Sequence, residues 1–332
     1  MIRWGLVGTG AIASKRAGPG LVDAHNSKLV AVCDVIEETV QAFAGRFNVP
    51  HVYTSFDELL TNEEVDAVYL ATPIFLHAPQ AIQALRAGKH VLVEKPMALS
   101  VAEGKEMVRV ARETGKTLAT AYYRRFFPKV QRAQQLIANG ALGKVVTVVS
   151  VYHTWYDPAP GAPGSWRAQK ARSGGGVLWD MGSHRFDLLV GLFGMPTQVW
   201  AVTETLAHDY EVEDTASVFM KLGNGAQCVS TWQWSSQTWV DHLSIIGTNG
   251  KIVMEPTDSP NLTLYIGKGR SQERSDEEIP LPANVHLPMI QNFVDSVLQG
   301  IDPVEVGEEG LKINRILAAI DRSAAEGCVV VP

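Results

Sequence analysis

Cysteine is scarce in this chain of 332 residues: Cys33, Cys228 and Cys328 are odd in number and far apart. They form no disulfide framework and no zinc-ligand spacing, so a reducing compartment is expected and no metal centre. Long apolar runs are missing too. None approaches the ~18 residues needed to span a bilayer. The opening Met-Ile-Arg-Trp-Gly-Leu-Val-Gly-Thr-Gly reads as a strand entering a glycine turn, not as a signal peptide. Positive charge is not in excess either. With 29 Lys and Arg against 35 Asp and Glu, the net charge of −6 leaves no footprint for nucleic acid, and no basic run marks a membrane surface. There is no internal repeat or low-complexity tract. A cytoplasmic protein acting on a small molecule is expected.

What is present suggests two domains, the usual outcome for a chain of this length. Ile2 to Val7 is an apolar strand, and Gly8-Thr9-Gly10-Ala11-Ile12-Ala13 comes next as a G-x-G-x-x-A turn into a helix. The glycines permit a tight turn and close approach of a pyrophosphate, and the free N–H groups of the helix start can bind it. A second strand, Leu29 to Cys33, ends at Asp34, where a carboxylate can accept hydrogen bonds from an adenosine ribose. The same carboxylate would repel a 2′-phosphate, so NAD is expected rather than NADP. Strands and helices keep alternating through Ala67–Ala71, His90–Val93 and Thr117–Ala121. Capping boxes begin at Ser55 and Ser100, and Gly88 and Gly115 act as helix stops. Residues 1–122 therefore read as an α/β, Rossmann-type, doubly wound parallel sheet.

Two strand ends in that domain carry unusual residues. Thr72-Pro73 with His77 follows one, and Glu94-Lys95-Pro96 follows another, where proline stops the strand and would hold Lys95 at the ligand-binding edge. Beyond Gly143 the rhythm changes to β-branched strands, with Gly223-Asn224-Gly225 as a hairpin turn. Residues 123–332 read as an α+β domain with a largely antiparallel open sheet, its two terminal helices packing back on the first domain. The charged run from Lys268 to Glu278 is expected to be a solvated loop. Tyr152, His153, Trp155, Tyr156 and Trp166 form an aromatic group suited to a sugar or polyol.

One stretch concentrates titratable groups. After Gly174-Gly175-Gly176, a helix would set Asp180, His184 and Asp187 at i, i+4 and i+7, on one face of an otherwise apolar segment. Such a pair of carboxylate and imidazole suits proton transfer.

Taken together, these residues resemble the glucose-fructose oxidoreductase, inositol dehydrogenase and MocA family of NAD(P)-dependent oxidoreductases. The resemblance runs from Gly8-Thr9-Gly10 through Glu94-Lys95-Pro96 to the pattern of Asp180, Gly182 and His184, and on to Ser323-Ala324-Ala325-Glu326-Gly327. It implies that Lys95, Asp180 and His184 meet nicotinamide and substrate between the domains. Gly8, Thr9, Gly10, Ala11, Ile12, Asp34, Thr72, Pro73, His77, Glu94, Lys95, Trp166 and Arg167 would hold the cofactor. Tyr123, His153 and Trp155 would join Lys95, Asp180 and His184 around the substrate. The implied reaction is hydride transfer between a secondary alcohol of a sugar, polyol or sugar derivative and NAD. The alternatives are an enzyme that oxidises a glycoside only transiently in order to cleave it, and a cofactor-sensing regulator. A homodimer or homotetramer is expected through the open face of the second sheet, where Trp232, Trp234, Leu243 and Ile245 recur at strand spacing.

Overall fold

The computed structural model describes residues 1–162 and 164–332. It divides into two compact units, Met1–Tyr123 with Pro282–Asn314, and Arg124–Leu281 with Arg315–Pro332.

The first unit is built on six parallel strands: β1 (Ile2–Val7), β2 (Ser27–Cys33), β3 (His51–Tyr53), β4 (Ala67–Leu70), β5 (His90–Val93) and β6 (Leu118–Thr120), in the order β3-β2-β1-β4-β5-β6. Strands covered on both faces read as continuous apolar runs, as β4 does with all four residues buried. Order reverses between β1 and β4, so a crevice for ligands opens at the carboxyl ends of these strands. The expected caps are formed. Ser100 accepts the Glu103 amide at 3.1 Å, the Glu103 carboxylate takes the Leu99 amide at 2.9 Å, and Gly115 ends that helix at φ 64°. The three-residue β3 has too little pattern to be read from sequence. The returning segment closes the unit through the helix Leu287–Gln299, whose Phe293 ring lies 5.2 Å from that of Trp4.

The second unit carries eight strands: β7 (Val145–Trp155), β8 (Gln198–Glu204), β9 (Thr215–Lys221), β10 (Gln227–Gln233), β11 (Ser235–Gly247), β12 (Gly250–Met254), β13 (Asn261–Lys268) and β14 (Ser271–Glu278), in the order β14-β13-β12-β11-β7-β10-β9-β8. Every pairing is antiparallel except β7 with β10. Register makes the two faces distinct. Ala201, Val218, Ser230, Ser150, Leu243 and Met254 line up across six strands and are all buried. The helix Ser183–Phe193 lies on this face, its Phe186 ring 5.7 Å from Trp232.

Two expectations need correction here. Trp232, Trp234, Leu243 and Ile245 do recur at strand spacing, but at about 1% exposure or less they belong to the unit's core, not to its open face. The run read as a charged loop is the edge strand β14, in which Arg274 pairs with Asp276 and Arg132 reaches Glu277. An edge strand wet on both sides loses the alternation by which strands are recognised, and its charges discourage further pairing.

Candidate active site

The first unit gathers its candidate residues where the strands end. Gly8 succeeds β1 at φ 89°, and a Cβ there would lie 2.7 Å from the Ala71 carbonyl oxygen, so only glycine fits. Beyond it a Cβ at Gly10 would meet nothing within 4 Å, and Ala11 and Ile12 are exposed at the helix start. That is the open cradle of amides a pyrophosphate needs. Asp34, at the end of β2, is turned into this loop: its Oδ2 accepts the Thr9 amide at 2.7 Å and the Thr9 hydroxyl at 2.8 Å, and its Oδ1 accepts the Ile36 amide at 3.1 Å. These residues suit a dinucleotide.

After β4 and β5, the two proline turns are joined by His77. Its Nδ1 lies 2.9 Å from the Pro96 carbonyl and its Nε2 2.8 Å from that of Thr72, while burial pushes its pKa down to about 4. With both nitrogens turned to backbone, His77 ties the two turns together. The Thr72 hydroxyl donates to Gln80 Oε1 at 2.7 Å. Lys95, half-buried, precedes Pro96 in a cis peptide. Beside it, Glu94 is buried and accepts the Tyr69 hydroxyl at 2.8 Å. Tyr123 lies beyond β6 with its ring 4.6 Å from that of His286.

In the second unit the three glycines fold the chain tightly against Trp179 and Glu213. A Cβ at Gly175 would lie 2.1 Å from the Trp179 ring, and one at Gly176 would lie 1.9 Å from the Glu213 carbonyl oxygen. Glu213 also holds the helix start, its carboxylate accepting the amides of Gly176 at 2.8 Å and Leu178 at 3.0 Å. Burial raises its pKa to about 7 against the pull of those two amides. The helix does not begin as a plain α-helix. Leu178–Gly182 is a π-helical turn that passes into the α-helix Ser183–Phe193. Four residues make about one turn on either count, so Asp180 and His184 share a side of the helix.

The titratable groups on that helix have diverged. Asp180 keeps a quarter of its side chain exposed, 3.6 Å from the Arg167 guanidinium, which in turn lies 4.7 Å over the Trp166 ring. His184 is buried. Asp187 is buried completely and paired with Arg125 at 2.7 Å, which makes it part of the scaffold. Tyr152, on the helix-facing side of β7, has its pKa pushed up to about 12 by burial and then by the nearby Asp180 carboxylate. His153 and Trp155 point to the opposite face: His153 Nε2 lies 3.0 Å from the Thr231 hydroxyl, and the Trp155 ring is 4.6 Å from His208. Strand alternation thus sets His153 on the face away from Tyr152 and the helix that carries Asp180 and His184. Sequence reasoning counted Tyr152 only as one of an aromatic group. Glu213 and His286 it missed, since each acts on residues far away in the chain. Among the described residues there is no metal-ligating cluster, and no helix is long and apolar enough to cross a membrane.

Comparison with known proteins agrees with this architecture. Residues 2–122 match the family described as "Oxidoreductase family, NAD-binding Rossmann fold", and residues 130–253 match the "GFO/IDH/MocA C-terminal domain". The chain is 30% identical to the 1,5-anhydro-D-fructose reductase of Ensifer adhaerens over 98% of its own length and 97% of that protein. It is 28% identical to the D-glucoside 3-dehydrogenase of Escherichia coli strain K12, over 98% and 96%. Among solved structures, the aldose-aldose oxidoreductase of Caulobacter crescentus complexed with glycerol superposes with a TM-score of 0.89 at 30% identity, covering 100% of this chain and 99% of that one. With both domains matched in order and relatives aligned over nearly its whole length, the chain belongs to the GFO/IDH/MocA family of oxidoreductases, its N-terminal domain being the NAD-binding Rossmann fold.

Proposed function

We propose that the protein transfers hydride between a secondary alcohol of a sugar, polyol or sugar derivative and NAD, with Lys95, Asp180 and His184 acting together on the alcohol. What supports the reading is that Lys95 follows β5 at the carboxyl edge of the parallel sheet, while Asp180 and His184 share a side of the helix whose start Glu213 holds. The names of the relatives, a reductase of an anhydro-sugar and a dehydrogenase of a glucoside, support the substrate class. Gly8, Thr9, Gly10, Ala11, Ile12, Asp34, Thr72, Pro73, Glu94 and Lys95 would hold the cofactor, with Trp166 and Arg167 completing the set. When bound, nicotinamide supplies the hydride acceptor. A secondary alcohol gives up hydride only as its hydroxyl proton leaves, so a base must reach that proton. His184 takes it. The Lys95 ammonium orients the oxygen and stabilises the charge growing there. Asp180 binds the substrate and supports the imidazole, while Arg167 holds the Asp180 carboxylate. Tyr123 and Tyr152 line the substrate site. The three cysteines are unpaired, in keeping with a cytoplasmic enzyme.

The test is a panel of polyols and sugars with NAD and NADP, read by nicotinamide absorbance. Release of NADH on mixing supports a dehydrogenase, while cleavage of a glycoside without net NADH supports transient oxidation. Lys95→Met and His184→Ala should each lower turnover by roughly 10² to 10⁴, far more than any accompanying change in NAD binding. Near-normal turnover in either purified variant rejects the role assigned to it.

A further inference from the structure

Behind Lys95 the first unit buries a polar stack that local sequence does not announce. His286 is 1% exposed and arrives with the returning segment. Asn284 anchors it, accepting the His286 amide at 3.0 Å and donating to the Arg16 carbonyl at 2.8 Å. The His286 Nδ1 lies 3.3 Å from the Tyr69 hydroxyl oxygen and 3.9 Å from Glu94 Oε1. Tyr69, completely buried, is 2.8 Å from that same Oε1. Glu94 Oε2 accepts the Lys95 amide at 3.3 Å.

These distances fix the proton positions. Tyr69 has one hydroxyl proton, and the short contact to a buried carboxylate is the stronger place for it. Its oxygen is then an acceptor towards His286, so Nδ1 must carry the ring proton. The other tautomer would set a lone pair of Nδ1 against one of Tyr69 and bury an N–H at Nε2, which has no partner among the described residues. Burial first, then the charges of Arg16 and Lys95, push the His286 pKa down to about 3, so the ring is neutral and donates only once. The order is His286 Nδ1–H to Tyr69, and Tyr69 O–H to Glu94.

We propose that His286 is a positioning residue for Lys95, acting through Tyr69 and Glu94. A buried carboxylate needs donors to keep one orientation, and here a chain of two fixes Glu94 while its other oxygen holds the amide of the residue that carries the ammonium. His286 touches no reacting atom. It sets the turn from which Lys95 reaches the alcohol oxygen, so the proposal rests on the reading of Lys95 given above.

The experiment compares Tyr69→Phe, His286→Ala, His286→Asn and His286→Gln, with Lys95→Met alongside. It uses whichever sugar or polyol the unaltered enzyme turns over fastest. NAD dissociation constants come from quenching of tryptophan fluorescence, and thermal unfolding checks that each variant is folded. Tyr69→Phe and His286→Ala should lower kcat about tenfold or more while the NAD Kd stays within about threefold. His286→Asn should recover most of kcat, since its amide N–H sits where Nδ1–H did, and His286→Gln should not. If His286→Ala fails to fold, Tyr69→Phe, which removes a single oxygen, decides. Turnover within about twofold of normal in Tyr69→Phe overturns the proposal, as does equal activity of the Asn and Gln variants or an NAD Kd that moves as far as kcat. Near-normal turnover of Lys95→Met instead defeats the reading of Lys95 itself, whatever the relay variants do.

Discussion

Asp34 shows how much a single side chain decides. Its two oxygens already take three donors from the fingerprint loop and the start of the next helix, which fixes the carboxylate in place. One acceptor site remains, on Oδ1, for a ribose hydroxyl, whereas a 2′-phosphate would bring like charge against a group that cannot turn away. We expect kcat/KM to favour NAD over NADP. Asp34→Ser combined with Val35→Arg should reduce or invert that preference, and Val35, 86% exposed, leaves room for the longer side chain. Faster turnover of the unaltered enzyme with NADP at subsaturating cofactor would reject this reading. At this scale, legibility depends on distance along the chain. The fingerprint and the Glu94-Lys95-Pro96 turn are local patterns and can be read directly. Glu213 and His286 act on Gly176 and Tyr69 across 37 and 217 positions, and no local periodicity carries that information.

At the scale of elements, the parallel sheet was legible because burial on both faces and regular caps leave strong marks, and the edge strand β14 was not because it is buried on neither. The two helices that matter most to the site, after Gly10 and after Gly176, both contain π-helical turns, Ala13–Ala17 and Leu178–Gly182. Apolar periodicity suggests a helix without revealing such a turn, and these turns recur at functional sites. Beneath the second helix lie two ion pairs, Arg185 with Asp241, both buried, and Arg124 with Asp258, whose side chain is 41% exposed. Lys129, fully buried, is the extra cation, its ammonium donating to the Pro256 carbonyl at 3.1 Å. Burial lowers its pKa to about 8, below the ~10.4 of an unfolded lysine. The unfolded chain therefore binds the proton more tightly, and stability should rise as pH climbs from about 8 towards ~10.4. Lys129→Met should abolish that rise and leave stability at pH 7 unchanged or about 1 kcal/mol higher, because both ion pairs survive. Arg185→Met strands Asp241 and should cost about 3–5 kcal/mol. Urea unfolding at pH 7 and about pH 9.5 checks both variants; a Lys129→Met protein weakened at pH 7 would show the lysine to be a needed partner.

For the molecule as a whole, the second sheet poses a problem that one chain leaves unsolved on its outer side. Register aligns Trp200, Phe219, Val229, Val149, Ser244, Val253 and Thr263 across seven strands, and Val202, Ser217, Thr231, Val151 and His242 in the next row. Trp200, Val202 and Val229 are each 44–47% exposed, whereas the matching row on the inner face is buried throughout. A sheet face that leaves large apolar side chains exposed is one that a second copy of the same face could cover with closed symmetry. We therefore propose a symmetric dimer through this outer face, of which a tetramer would be the doubling. Trp232 and Leu243, from which that face was expected, lie on the side the helices cover; alternation reveals that a strand has two faces but not which one the helices cover. Light scattering at micromolar concentration should give at least twice the mass of one chain. Val229→Lys with Trp200→Lys puts two charges on the outer face of each copy and should yield monomers that still bind NAD, because neither residue lies in the dinucleotide-binding unit. A monomeric mass for the unaltered protein would reject assembly, and an undiminished mass for the double variant would move the interface to another surface.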